Sequence, residues 1–213
     1  MKLFLFRILR APLALGLLLV VLGAQASAPA PGILVLGDSI SAAYGMSLEQ
    51  GWVALLERQL AETHPGSRVV NASISGETSG GGLRRLPALL EEHQPQLVII
   101  ELGGNDGLRG YPINKFRDNL RQMATLSKDA GASVLVLAME IPPNYGSRYT
   151  SAFRDSFTVV AEETDSVLGP FLLDGVATEP GMMQADGIHP TATAQPRLLQ
   201  NVLPTLMGML AAP

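Results

Sequence analysis

The sequence predicts an α/β fold, a three-layer α/β/α sandwich around a five-stranded parallel sheet. Three observations lead there. Short runs of consecutive aliphatic residues recur along the chain without polar alternation, as expected of strands covered on both faces. Segments with helical apolar spacing separate these runs. The distinctive polar motifs fall just after the runs or before the last helical segment, and an open parallel sheet binds its ligands outside the carboxyl ends of its strands.

Taken in order, Ile33-Leu34-Val35-Leu36 reads as the first strand, Arg68 to Ala72 as the second and Leu97 to Leu102 as the third. Ser133 to Met139 reads as the fourth, and Phe171-Leu172-Leu173 is a weaker fifth. Between them, Trp52, Leu55, Leu56 and Leu60 follow helical spacing up to a Pro65-Gly66 stop. Leu83, Leu86, Leu89 and Leu90 mark a second helix despite Pro87, and Phe116, Leu120, Met123 and Leu126 a third, ended by Gly131. A fourth helix is expected over about 151–167 and a last over about 191–210, containing Pro196. Right-handed crossovers complete the sandwich.

The first residues stand apart from this pattern. Lys2, Arg7 and Arg10 precede an apolar stretch from Ala11 to Gly23, followed by Ala24-Gln25-Ala26 and Ala26-Ser27-Ala28. This is the pattern of a secretory signal peptide over 1–26, with cleavage after residue 26 or 28. The apolar run is short for a membrane span, so no stable anchor is expected after cleavage. A mature chain of about 185 residues fits one domain, 27–213, with a sizeable core. Losing three of the fifteen Lys and Arg leaves twelve against nineteen Asp and Glu, a formal charge of −7. That balance argues against a nucleic-acid partner. With no cysteine, the chain has neither disulfides nor a thiolate nucleophile. The expected destination is export, to a periplasm or beyond the cell.

Asp186-Gly-Ile-His189-Pro190 is the most informative motif. Of the three histidines, His64 and His93 sit at expected helix ends, where a donor suits the C-terminal dipole. His189 has no such role, precedes a proline, and follows a carboxylate by three residues. Asp186 can therefore orient its ring. Such a pair serves a nucleophilic hydroxyl, and Ser39 in Gly37-Asp38-Ser39 closes the first strand. A serine there commonly does no more than cap a helix; the Asp186/His189 pair tips the reading toward chemistry. Acyl transfer also needs donors for an oxyanion. Gly76 offers an unobstructed backbone N–H and Asn105 a side-chain amide, each on a loop at the same sheet edge.

Gly-Asp-Ser39, Gly76, Gly103-Gly-Asn105-Asp and Asp186-Gly-Ile-His189-Pro, in that order, resemble the four blocks of the SGNH (GDSL) hydrolase family. Glu101 to Gly110, Pro142 to Gly146 and Met183 to Pro190 resemble its exported bacterial thioesterase I, protease I, lysophospholipase L1 and arylesterase type. The resemblance implies a flavodoxin-like strand order 2-1-3-4-5 and no metal or organic cofactor. It also implies Ser39 as nucleophile, His189 as base and then acid, and Asp186 as orienting carboxylate. The oxyanion donors would be the Ser39 and Gly76 N–H groups and the Asn105 side chain. The implied substrates are small acyl esters, thioesters and lysophospholipids, taken by a monomer.

The same resemblance places Gly107 to Pro112 beside the acyl pocket. Leu108, Arg109 and Tyr111 are then candidate substrate contacts, and Gly107 and Gly110 are positions where the loop can flex. Pro142 to Gly146 reads as a second rim. There is no Gly-x-Ser-x-Gly elbow, no His-Glu-x-x-His, and no Lys-Ser/Thr after the glycines of 76–82. An α/β-hydrolase, a zinc hydrolase and a P-loop are thereby disfavoured. A carbohydrate O-acetylesterase on the same fold and a non-catalytic binding module are the competing readings.

Overall fold

The computed structural model describes residues 32–211. The expected signal peptide and its cleavage site lie outside the described residues. Five strands, β1 (Gly32–Gly37), β2 (Arg68–Asn71), β3 (Leu97–Glu101), β4 (Ser133–Ala138) and β5 (Val167–Phe171), form one parallel sheet in the order β2-β1-β3-β4-β5. Among the described residues, six α-helices accompany them: α1 (Trp52–Thr63), α2 (Ser79–His93), α3 (Gly104–Leu108), α4 (Ile113–Asp129), α5 (Ser147–Glu163) and α6 (Gln195–Ala211).

The strand period of two divides the core into two layers. Leu34, Leu36, Val98, Ile100, Val134 and Val136 face α2, α4 and α5. There Phe116, Phe153 and Phe157 pack with ring centroids 5.0–5.5 Å apart, in stacked and edge-on pairs that suit their quadrupoles. Ile33, Val35, Leu97, Ile99, Leu135 and Leu137 face the other way, onto Trp52, Leu56 and Leu60 of α1 and Leu198, Val202 and Leu206 of α6. Continuous aliphatic runs thus arise because both faces of the central strands are buried. The arrangement matches the expected sandwich.

Four details differ from the sequence reading. The fifth strand is Val167–Phe171, not Phe171–Leu173, and α5 runs from Ser147 to Glu163 rather than to 167. Gly169-Pro170 reads as a turn, but β5 is an edge strand with a register shift opposite Leu137/Ala138, where a proline without an N–H is tolerated. Ser39 is followed by a run of turns over 39–45, not by a helix. Finally, α3 went unforeseen, and it contains Gly107. That glycine is buried, and a Cβ there would lie 2.7 Å from Ile141 Cγ2, so Gly107 is a packing position rather than a flexible one. Gly110, with φ +64° and open space around it, keeps the conformational freedom expected of it.

Candidate active site

The polar motifs meet at the carboxyl edge of the sheet. Ser39 lies two residues past the end of β1 and is 8% exposed. Asp38 Oδ1 accepts the Ile40 N–H at 3.0 Å, and the Ala42 and Tyr44 N–H groups donate to the Asp38 and Ser39 carbonyls at 3.0 Å. These bonds fold the chain back at once and hold the serine at the edge.

His189 Nε2 is 2.9 Å from Ser39 Oγ, and His189 Nδ1 is 2.7 Å from Asp186 Oδ2. Asp186 Oδ1 accepts the N–H groups of Ile188 and His189 at 2.9 and 3.0 Å, the tight turn expected of a carboxylate three residues before its histidine. The His189 ring hydrogen bond and these two backbone donors hold the Asp186 carboxyl well below the usual range. An ionised Asp186 only accepts, so Nδ1 carries the imidazole proton and Nε2 is left to accept from the Ser39 hydroxyl. His64 and His93 sit at the C-terminal ends of α1 and α2, as their sequence contexts suggested.

Asn105 stands on α3, just after β3. Its Nδ2–H donates to Asp38 Oδ2 at 3.2 Å. The neighbouring Asp106 is buried and accepts both the N–H and the hydroxyl of Ser79, at 2.8 and 2.7 Å, which ties α3 to the start of α2. Gly76 adopts φ +79°, a left-handed conformation that glycine reaches without strain, with nothing within 4 Å of where a Cβ would stand. Among the described residues, neither the Ser39 nor the Gly76 N–H donates to a backbone carbonyl.

Of the three loop residues expected to contact substrate, Leu108 lines a mainly apolar cavity of about 380 Å³ that also involves Ile40, Met139, Ile141, Leu172 and Ile188. Pro142 and Pro143 of the expected second rim line it too. Arg109 reaches elsewhere: its Nη2 lies 3.4 Å from both the Gly76 carbonyl and Asn105 Oδ1. Tyr111 is exposed and does not line this cavity; its carbonyl accepts the Tyr149 hydroxyl at 2.8 Å. A wider groove of about 670 Å³ is lined by Asn114, Arg117, Tyr145 and Arg148. Ser39, Asp186 and His189 line neither space, but their chain neighbours Ile40, Gly187 and Ile188 line the apolar cavity.

Two carboxylates of this region were not singled out by sequence reasoning. Glu101, the last residue of β3, is fully buried; its Oε2 accepts the Ser41 hydroxyl at 2.6 Å and the Asp38 N–H at 3.3 Å, and Trp52 Nε1 donates to the same Ser41 oxygen at 3.1 Å. Burial, and then the charge of Asp38, push the Glu101 carboxyl well above its ordinary value. Burial likewise raises Asp38 to about 6, against the opposing pull of the Ile40 N–H, the His189 charge and Asn105. Gly37 leaves room for this arrangement, since a Cβ there would lie 2.7 Å from Glu101 Oε2. A charged residue ending an aliphatic run was the available signal for Glu101. Among the described residues, no three His, Cys, Asp or Glu side chains are grouped to hold a metal ion.

The fold and this arrangement define an acyl-transfer type of hydrolase site on an α/β/α sandwich, and comparison with known proteins gives the family. Residues 35–195 match the model of the GDSL-like Lipase/Acylhydrolase family, to which the chain belongs. It is 55% identical over 202 residues to Esterase TesA of Pseudomonas aeruginosa, covering 95% of this chain and 100% of that one. It is 48% identical over 180 residues to Thioesterase 1/protease 1/lysophospholipase L1 of Escherichia coli K12, covering 84% and 85%. The structure of the psychrotrophic esterase EstA from Pseudoalteromonas sp., inhibited by monoethylphosphonate, superposes with a TM-score of 0.82 at 44% identity, covering 85% and 100%.

Proposed function

We propose that this chain is an exported serine acylhydrolase that cleaves carboxylic esters, acyl thioesters and lysophospholipids through an acyl-enzyme on Ser39. The observation that carries the reading is the unbroken hydrogen-bond chain from Asp186 through His189 to Ser39. The names of the relatives, esterase and thioesterase 1/protease 1/lysophospholipase L1, support the substrate classes.

In the first half-reaction Ser39 Oγ bonds to the acyl carbonyl carbon while His189 Nε2 takes the hydroxyl proton. The former carbonyl oxygen carries the negative charge and meets the Ser39 and Gly76 N–H groups and Asn105 Nδ2. The tetrahedral adduct collapses, the C–O or C–S bond breaks, and the imidazolium gives its proton to the leaving alcohol or thiol. Water then repeats the sequence on the acyl-enzyme. Ionised Asp186 stabilises the imidazolium in both halves. The acyl chain occupies the 380 Å³ cavity lined by Ile40, Gly187 and Ile188, the chain neighbours of Ser39, Asp186 and His189; its size is at the lower end of small-ligand pockets.

Hydrolysis of p-nitrophenyl esters from C2 to C16, of palmitoyl-CoA and of a lysophospholipid, by wild type and Ser39→Ala, tests the reading. Turnover of longer acyl chains that disappears in Ser39→Ala is expected. Confinement to C2 would favour a carbohydrate O-acetylesterase, and a folded wild type that neither turns over nor reacts with a serine-directed phosphonate would favour a binding module. Export rests on the N-terminal charge and hydropathy pattern, and no described helix is long and apolar enough to cross a membrane. Mass spectrometry of the periplasmic protein is expected to find a mature N-terminus at Ser27 or Pro29; a retained Met1 would reject cleavage.

A further inference from the structure

The Tyr44 ring lies against the His189 imidazole, with centroids 4.3 Å apart and planes tilted by 34°. Tyr44 belongs to the turn run that carries Ser39, and its N–H donates to the Ser39 carbonyl at 3.0 Å. Its side chain is half exposed, so core packing does not explain a tyrosine here. Gln184 joins the same two loops. Its Nε2 donates to the Tyr44 carbonyl at 2.9 Å and to the Pro190 carbonyl at 3.0 Å, while its backbone N–H donates to the His189 carbonyl at 2.7 Å. The fit around this amide is close: a Cβ on Gly45 would stand 2.5 Å from Gln184 Oε1.

We propose that Tyr44 and Gln184 form a clamp that holds His189 in register with Ser39, and that Tyr44 is a positioning residue whose ring face meets the imidazolium formed during the reaction. The proposal rests on the roles of Ser39 and His189 given above. The hydrogen bonds to Asp186 and Ser39 grip the imidazole at its two nitrogens and leave its tilt about the line joining them unrestrained. An aromatic ring against its side removes that freedom. The same ring attracts a cation more than a neutral group, and His189 becomes cationic only when it has taken the Ser39 proton. The contact therefore strengthens on the way to the transition state, which is the kind of interaction that raises kcat. The charged groups facing His189 are Asp186 on its own loop, bonded to Nδ1, and Asp38 on the nucleophile loop. Gln184 adds no charge; it sets the distance between the two loops.

Steady-state kinetics on p-nitrophenyl acetate, a substrate too small to depend on the acyl cavity, tests the clamp, with thermal melts run beside it. Tyr44→Ala is expected to lower kcat roughly tenfold with KM nearly unchanged, and Tyr44→Phe, which keeps the ring, to restore it. Gln184→Glu, which turns a carboxylate toward two carbonyls, is expected to lower kcat as well. Tyr44→Ala at wild-type kcat, a loss confined to KM, or Tyr44→Phe as impaired as Tyr44→Ala would each overturn the proposal. If Tyr44→Ala does not fold, Tyr44→Leu keeps the bulk without the aromatic face and is expected to lose the same turnover; wild-type kcat there overturns the clamp. Ser39→Ala in the same series separates the two readings. Turnover in Ser39→Ala sinks the serine mechanism and the clamp together, whereas an inactive Ser39→Ala beside a fully active Tyr44→Ala sinks the clamp alone.

Discussion

Asn105 donates its Nδ2–H to Asp38 Oδ2 at 3.2 Å, so the residue preceding Ser39, the proposed nucleophile, orients an amide held at the end of a different strand. Asp38 accepts on both oxygens, from Asn105 and from the Ile40 N–H. An asparagine at position 38 offers one acceptor and must turn an N–H toward one of those donors. Asp38→Asn is expected to lower kcat by up to roughly 10²-fold through misplacement of the oxyanion donor. Stopped-flow acylation with a p-nitrophenyl ester measures it, and an unchanged acylation rate would mean that Asn105 is held by other contacts.

Asn105 itself is the more direct test. Loss of one side-chain oxyanion donor costs about 2.7–4 kcal/mol in the barrier. Asn105→Ala is expected to cut kcat by roughly 10²–10³ with modest change in KM. Unchanged turnover would remove it from the oxyanion hole.

The buried carboxylates predict a pH dependence of stability. Glu101 is held well above its ordinary 4.5, first by burial and then by Asp38, and Asp38 is raised from 3.8 to about 6. Raised folded-state values mean that the folded chain binds more protons than the unfolded one. Their stabilising contribution is therefore fullest below the ordinary carboxylate values and is lost as pH rises, through about 6 for Asp38 and through the raised value of Glu101. Glu101→Gln removes one of the two titrations. Its melting temperature relative to wild type is expected to climb as pH rises from the ordinary glutamate value of 4.5 upward. A difference that stays flat over that range contradicts the assignment.

Leu108 and Ile40 line the same apolar cavity, so a larger side chain at 108 shortens the space open to an acyl chain. Leu108→Trp is expected to move the p-nitrophenyl ester optimum toward shorter chains, with C2 turnover less affected than C12 or longer. Superimposable chain-length profiles would place the acyl chain elsewhere.

Gly37→Ala probes the packing behind Ser39. The new Cβ would stand 2.7 Å from Glu101 Oε2 and 2.8 Å from Ser41 Oγ, inside contact distance. Overpacking of this kind costs about 1–3 kcal/mol. Urea unfolding is expected to show that loss together with reduced turnover, because Glu101 holds the Asp38 N–H. Wild-type stability would show that the Glu101 side chain can move aside freely.

Much of this molecule was legible from short-range pattern. Aliphatic runs located four strands within about a residue, because central strands buried on both faces leave no room for polar alternation. Asp186 and His189 were readable as a pair because three residues of turn suffice to bring them together. The failures have equally local causes. Gly169-Pro170 gives a turn signal that edge position and a register shift override, and five residues are too few for α3 to show a periodicity.

By itself, then, the sequence determined the layer order of the fold, the four motifs at the sheet edge and the Asp186/His189 pair, since each follows from hydrophobic period or from neighbours along the chain. Only the tertiary structure decided that Glu101 lies beneath Ser41 and Asp38, that Arg109 points at Gly76 and Asn105 rather than into the cavity, and that Tyr44 covers His189. Most of these contacts join residues tens to more than a hundred positions apart. Their geometry is set by how strands, helices and turns pack, which no local pattern in the chain encodes.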